Sequence, residues 1–178
     1  MAAAQSGGSA GPFMPDHNII AIGDPVSNLW LAGQYKTEEA RRLPVQFGGF
    51  AGADDTFAFA VGGCRWGSGQ RAEEKPDRVG LLALVPRLDV RPASTDDRRV
   101  ALILSGGRSV EALRDVVQLG TPTIPPMLRP PYTNLVPDFL VTGPDVARHG
   151  MGGYAQAGYF GPDWDYRPET SYSTKRCR

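Results

Sequence analysis

The sequence contains very few of the residues that build metal centres. It has 2 cysteines and 2 histidines in 178 residues, and the cysteines do not form a C-x-x-C pair. Zinc sites in small domains combine cysteine and histidine at short spacing, and this sequence lacks that pattern. We therefore predict no metal site and no cofactor.

The chain also lacks an excess of either charge. Lys and Arg together number 19, Asp and Glu together number 19, and the formal net charge is zero. Proteins that bind nucleic acid through charge are usually basic because they neutralise backbone phosphates. The balance argues against a basic arm that binds nucleic acid, so any such contact would have to be local.

Long hydrophobic runs are missing as well. The longest, such as residues 79–85, are far shorter than the roughly 20 residues of a membrane-spanning helix. The N-terminal 18 residues have neither the basic start nor the apolar centre of a secretory signal. We predict a protein of the cytoplasm or of a virion, without membrane contact. Free thiols at Cys64 and Cys177 are the favoured interpretation, and a single disulfide between them is the alternative.

Glycine and proline are abundant, with 22 and 16 residues. Glycine loses backbone entropy in a helix and proline lacks the N–H donor, so this composition disfavours long helices. Six or seven short apolar segments are typical of strands. We predict a mainly β fold, a sandwich or jelly-roll-like barrel with one clear α-helix and extended termini; the alternative is an α+β sheet.

Period-two alternation and short apolar runs indicate where the strands lie. We expect strands within residues 18–26, 27–35, 45–52, 54–63, 79–92, 100–104 and 134–143. One or two helical turns begin at Thr37, and residues 64–77 are predicted to be a long polar loop. Pro137 favours an edge position or a bulge for the last strand.

The chain divides into three regions by composition. Residues 1–18 are rich in Gly, Ala and Ser and are predicted to be a flexible N-terminal arm. Residues 19–142 form the β-rich body. Residues 143–178 are rich in Gly, Tyr and Pro with little periodicity, and we interpret them as a C-terminal arm.

Residues 102–120, LILSGGRSVEALRDVVQLG, hold the clearest local pattern, a buried strand, a glycine turn and a helix. Ser109 is a favourable N-cap, and Gly120 fits the end of the helix. The N–H groups at a helix start can bind an anion. The candidate anion-binding residues are Ser105, Gly106, Gly107, Arg108 and Ser109, although a purely structural turn is the favoured interpretation.

Other candidate chemistry is weak. Cys64 beside Arg65 lacks the C-x5-R spacing of a phosphatase loop, and a cysteine nucleophile also needs a base. The acidic pairs at residues 54–55, 73–74 and 96–97 fall in predicted loops, where adjacent carboxylates are usually solvated. We predict no catalytic residue and no enzyme activity.

Aromatic residues in the C-terminal region suggest contact with a partner, because such residues dominate binding hot spots. The predicted partner-binding residues are Tyr154, Tyr159, Phe160, Trp164, Tyr166 and Tyr172. The leading hypothesis is a structural subunit of a large assembly, most naturally a viral or phage coat or decoration protein that binds copies of itself or another subunit. The alternatives are a small enzyme or ligand-binding domain with an anion site at residues 105–110, and an accessory subunit of a cellular complex.

Overall fold

The computed structural model describes residues 17–49, 57–67, 78–89, 99–120 and 137–177. These residues form nine strands and three α-helices, with two single 3-10 turns at Glu39–Arg42 and Gly150–Gly153. The strands are β1 (Ile19–Ile22), β2 (Val45–Phe47), β3 (Phe59–Val61), β4 (Cys64–Trp66), β5 (Gly80–Pro86), β6 (Val100–Ser105), β7 (Phe139–Thr142), β8 (Tyr154–Phe160) and β9 (Tyr166–Ser173). The helices are α1 (Leu29–Gln34), α2 (Val110–Gly120) and α3 (Val146–His149).

The strands form two sheets. The larger has the order β1-β6-β5-β7-β8-β9, and the smaller has the order β2-β3-β4. Strands β1 and β6 pair in parallel, whereas every other pair is antiparallel. The prediction of a mainly β fold with few helices is confirmed, and neither sheet closes into a barrel.

The larger sheet is covered on both faces. Alternate residues of β5, such as Leu81 and Ala83, share one buried cluster with Leu31 of α1 and Phe59 of the smaller sheet. Gly80 has the opposite orientation, and a side chain there would collide with Val116 of α2. Helix α2 therefore packs on one face, while α1 and the smaller sheet pack on the other.

Helix α2 begins as the sequence predicts. The Ser109 hydroxyl accepts a hydrogen bond from the Ala112 amide at 3.2 Å, which satisfies one of the free N–H groups of the first turn. Ala112 and Val116 are fully buried against the sheet. Gly120 is the last residue assigned to the helix rather than the first residue beyond it.

The predicted strand at residues 27–35 is wrong, because α1 occupies Leu29–Gln34. The Asn28 side chain accepts hydrogen bonds from the amides of Trp30 and Leu31, so an N-cap starts a helix within an apolar run. The consequence is one-sided burial, in which Leu31 is buried and Leu29 lies in solvent.

The predicted loop at residues 64–77 is also wrong at its start, where Cys64–Trp66 forms β4. Gly62 and Gly63 have φ of 56° and 84°, a conformation that suits a tight hairpin turn between β3 and β4. Residues 68–77 lie outside the part of the chain that the structure describes.

The interpretation of residues 143–178 as an arm separate from the body needs correction. Strands β8 and β9 extend the larger sheet, so β7 has neighbours on both sides and is neither an edge strand nor the last strand. None of the eight residues of β9 is buried and four of them are exposed, which explains why its sequence shows no apolar periodicity. Most of the predicted N-terminal arm, residues 1–16, lies outside the described ranges.

The two cysteines are joined in a disulfide, which corrects the prediction of free thiols. Cys64 of β4 and Cys177, beyond β9, have their Cα atoms 4.7 Å apart although 113 residues separate them. This distance falls within the range that a disulfide spans. The bridge ties the smaller sheet to the C-terminal end of the chain.

Candidate binding sites

A crevice lies where the two parallel strands end. Because β1 and β6 run in the same direction, their carboxyl ends meet at one edge of the sheet. The chain then continues from β1 into α1 and from β6 into α2, on opposite faces. Crevices of this kind, where connections diverge from adjacent parallel strands, are the usual ligand sites of open α/β sheets.

The crevice has a volume of ≈ 230 Å³. Its walls come from the loops after β1, β2 and β6 and from the start of the β3 hairpin. The lining residues are Asp24, Pro25, Val26, Phe47, Gly48, Gly49, Ala58, Gly107 and Arg108. Two of the five predicted anion-binding residues, Gly107 and Arg108, are therefore among those that line it.

The polar groups of the predicted anion loop bond within the protein. The Ser105 hydroxyl accepts from the Gly107 amide at 3.2 Å. The Ser109 hydroxyl caps α2 and donates to the Glu111 carboxylate at 3.0 Å. The Arg108 guanidinium donates to the Phe57 carbonyl at 3.4 Å. These polar groups therefore have hydrogen-bond partners within the protein.

Glu111 supplies the negative charge at the start of α2. A backbone hydrogen bond and the Ser109 hydroxyl lower the pKa of the Glu111 carboxyl below its usual range. A carboxylate in the first turn of a helix interacts favourably with the helix dipole. An external anion would have to compete with this charge, so the crevice is better suited to a neutral or mixed-charge ligand.

Asp24 is the acidic residue of the crevice, and it too is held by local hydrogen bonds. Its carboxylate accepts from the amides of Val26 and Ser27 and from the Ser27 hydroxyl, at 3.0, 2.9 and 2.8 Å. These bonds fix the loop between β1 and α1.

A second surface surrounds β1. By register Ile20 and Ile22 lie on the same face as Leu102 and Leu104 of β6, which is the face that α2 covers. Helix α2 packs over β5, β6 and β7, and the side chains of Ile20 and Ile22 are left 66% and 51% exposed. Val26 and Leu29, in the loop after β1 and at the start of α1, are more exposed still. We refer to these four residues as the β1 apolar surface.

Among the described residues, β1 is an edge strand of the larger sheet. Within the described ranges β1 pairs with β6 alone, and its sequence, IIAI, contains no charge and no proline. Natural edge strands usually carry such residues because an unpaired edge otherwise pairs with another chain. The unpaired edge of β1 and the exposed side chains of Ile20 and Ile22 therefore lie on the same strand of the described structure.

The six aromatic residues predicted to bind a partner have different positions. Phe160 stacks on the fully buried Phe139 with ring centroids 5.0 Å apart, and Tyr166 packs against the same ring at 6.0 Å. Both rings contribute to the core. The remaining four lie at or near the surface: Tyr154, Tyr159 and Trp164 are half-buried, and Tyr172 is exposed.

The remaining candidates add no site among the described residues. Cys64 is bonded to Cys177 and is therefore not a thiol nucleophile in this structure. The acidic pairs at residues 54–55, 73–74 and 96–97 fall outside the described ranges. Across those ranges, no three metal-binding side chains cluster, and no helix is both long and apolar enough to cross a membrane.

The sequence analysis missed most of the crevice and the whole β1 apolar surface. The sequence signal for the crevice is a pair of turns, Gly23-Asp24-Pro25 after one apolar strand and Ser105-Gly106-Gly107 after another. Those turns come together only because β1 and β6 are adjacent and parallel, and no local pattern predicts that pairing.

Comparison of the chain with protein-family models, with curated proteins and with solved structures found no match.

Proposed function

We propose that the protein is a non-catalytic subunit that associates with other polypeptide chains through the edge of β1 and its apolar surface. The observation that supports this most is the exposure of Ile20 and Ile22 on a strand in parallel pairing. Parallel strands are normally buried on both faces. Contiguous exposed apolar residues commonly mark an interaction site.

The first partner that we propose is a second copy of the chain. Two β1 edges related by a two-fold axis perpendicular to the sheet would pair antiparallel and continue the sheet across the subunits. Ile20 and Ile22 of both chains would then lie on one face. Fully burying an exposed isoleucine contributes about 1.5 to 3 kcal/mol, so the two partly exposed isoleucines of each chain would supply part of the free energy of association.

The setting that we propose is a large assembly such as a viral or phage shell, with this chain as a coat or decoration component. The β-rich body and the zero net charge are compatible with such a role. An accessory subunit of a cellular complex would use the same surface, and the nature of the setting stays a prediction.

Light scattering coupled to size exclusion tests the association. We expect the full-length chain to exceed the monomer mass of 19.1 kDa and the double variant Ile20→Lys/Ile22→Lys to run as a monomer. Both side chains are exposed, so the variant should keep its circular dichroism spectrum and melting temperature. The matched control is Met151→Lys, at a residue 61% exposed in the Gly150–Gly153 turn, which should associate like the wild type.

Two outcomes would refute this proposal. One is a wild-type chain that stays at monomer mass at every concentration tested. The other is an Ile20→Lys/Ile22→Lys variant that associates as strongly as the Met151→Lys control, since the interface would then lie elsewhere.

The crevice supports a second candidate function, binding of a small ligand. Its position at the carboxyl ends of β1 and β6 is the observation that favours this. A thermal-shift screen with neutral and zwitterionic compounds, such as sugars and amino acids, tests it: a compound that raises the melting temperature of the wild type should lose its effect in Arg108→Ala. Subunit association predicts instead that Arg108→Ala leaves the oligomeric mass unchanged.

A further inference from the structure

The hairpin that joins β8 to β9 forms a cleft at the far edge of the larger sheet from β1. The cleft has a volume of ≈ 330 Å³. It is lined by Asp138, Phe160, Gly161, Pro162 and Trp164. Among these five residues there is one carboxylate, there are two aromatic rings and there is no cation.

The hairpin turn places a tryptophan where glycine is usual. The Gly161 amide donates to the Asp165 carbonyl at 2.8 Å, and the Trp164 amide donates to the Gly161 carbonyl at 2.9 Å. Trp164 follows this turn in the left-handed region, with φ of 61°. Hairpins with a turn of this kind favour glycine at the left-handed position, since any other L-residue costs about 1 kcal/mol or more there.

The indole packs against a ring that is itself anchored in the core. Trp164 lies 6.3 Å from the Phe160 ring, centroid to centroid, at an interplanar angle of 54°. Phe160 in turn stacks on Phe139, which is fully buried. The aromatic wall of the cleft is therefore anchored in the core and does not depend on the hairpin loop alone.

The electrostatics of the cleft are acidic. The Asp138 carboxylate accepts one hydrogen bond, from the Phe160 amide at 2.9 Å, and its other oxygen has no bond from the described residues. Asp163 in the turn is exposed and forms no ion pair with them either. The nearby cation Arg167 is bound to Asp165 at 2.7 Å and reaches Glu169 at 3.7 Å.

We propose that this cleft binds an arginine side chain presented by a partner polypeptide. A guanidinium ion stacks on aromatic rings and forms paired hydrogen bonds with a carboxylate, and the cleft offers both. An anion would be repelled by Asp138 and Asp163. A purely apolar side chain would cover the free carboxylate oxygen of Asp138 without replacing its contact with water, which is unfavourable.

The test uses the full-length chain and two small probes, Nα-acetyl-arginine amide and the uncharged isostere Nα-acetyl-citrulline amide. The readout is the Trp164 indole N–H resonance in ¹H–¹⁵N spectra, which Trp164→Phe identifies among the three tryptophans. We expect saturable shifts with the arginine probe that weaken as salt is added, and none with the citrulline probe. Equal shifts with both probes, or no saturable shift with either, would overturn the proposal.

Three variants separate binding from folding. Asp138→Asn should weaken the binding of the arginine probe about tenfold, because a charge-assisted hydrogen bond is lost. Trp164→Gly should abolish binding of the arginine probe, with the Phe160 amide resonance as the readout. Its melting temperature should not fall, because glycine relieves the left-handed strain. Tyr172→Leu, an exposed aromatic on β9 outside the cleft lining, is the control and should bind like the wild type. Full binding in Trp164→Gly would contradict the role of the indole.

Discussion

Removing the bridge between Cys64 and Cys177 should destabilise the protein substantially. The two cysteines are 113 residues apart, and in the chain-entropy account a closed loop of about 100 residues contributes roughly 4 to 5 kcal/mol. Single domains are stable by about 5 to 15 kcal/mol. The bridge would therefore supply a large part of the stability. Cys177→Ser is the better variant to test this, because Cys64 is only 2% exposed and a serine at that position would bury a hydroxyl.

Urea unfolding followed by tryptophan fluorescence measures this effect. We expect the air-oxidised wild type to unfold at a clearly higher urea concentration than Cys177→Ser. Addition of dithiothreitol should lower the wild type to a similar midpoint and leave the variant unchanged. Thiol titration in denaturant should find no free thiol before reduction and two afterwards.

The reasoning fails if the air-oxidised wild type has two titratable thiols in denaturant, because Cys64 and Cys177 would then be unpaired. It also fails if wild type and Cys177→Ser have equal free energies of unfolding.

Two further predictions concern buried and capping groups. Gln156 is fully buried and accepts a hydrogen bond from the Trp66 indole at 2.8 Å. Gln156→Leu should therefore lower the free energy of unfolding, measured in urea, by about 1 to 3 kcal/mol. An unchanged value would contradict the importance of this bond between the sheets. The Glu111 pKa is lowered by its backbone and Ser109 hydrogen bonds. The ionised carboxylate therefore stabilises α2 at pH values above the usual glutamate pKa, and this stabilisation is lost as the pH falls through the lowered pKa. Melting temperatures from neutral to acidic pH should fall less steeply in Glu111→Gln than in the wild type, and identical slopes would refute the capping role.

Local signals predicted the parts of the fold that local interactions stabilise. Strands β5 and β6 are continuous apolar segments, and most of their residues are buried. Ser109 caps α2 through a hydrogen bond to Ala112, only three residues away. In contrast, the Asn28 cap turned a plausible strand into α1, because one side-chain oxygen accepting two amides outweighs the weak preference of a short apolar run.

Strand β9 shows why the C-terminal region was misinterpreted. None of its residues is buried, so no alternation of apolar and polar residues marks it as a strand. It is extended because it pairs with β8, for example Ala157 with Tyr172, and this pairing depends on residues that the β9 segment itself does not contain.

The amino-acid pattern alone therefore establishes a β-rich chain, the α2 cap and the glycine turn before that helix, since these depend on residues a few positions apart. The parallel pairing of β1 with β6, the Cys64–Cys177 bridge and the cleft beside Trp164 depend on residues far apart in the chain. Their positions follow from which surfaces are buried together when the sheets and helices pack. All three proposed binding regions belong to this second group, because each takes its position or its exposure from packing that brings distant segments together.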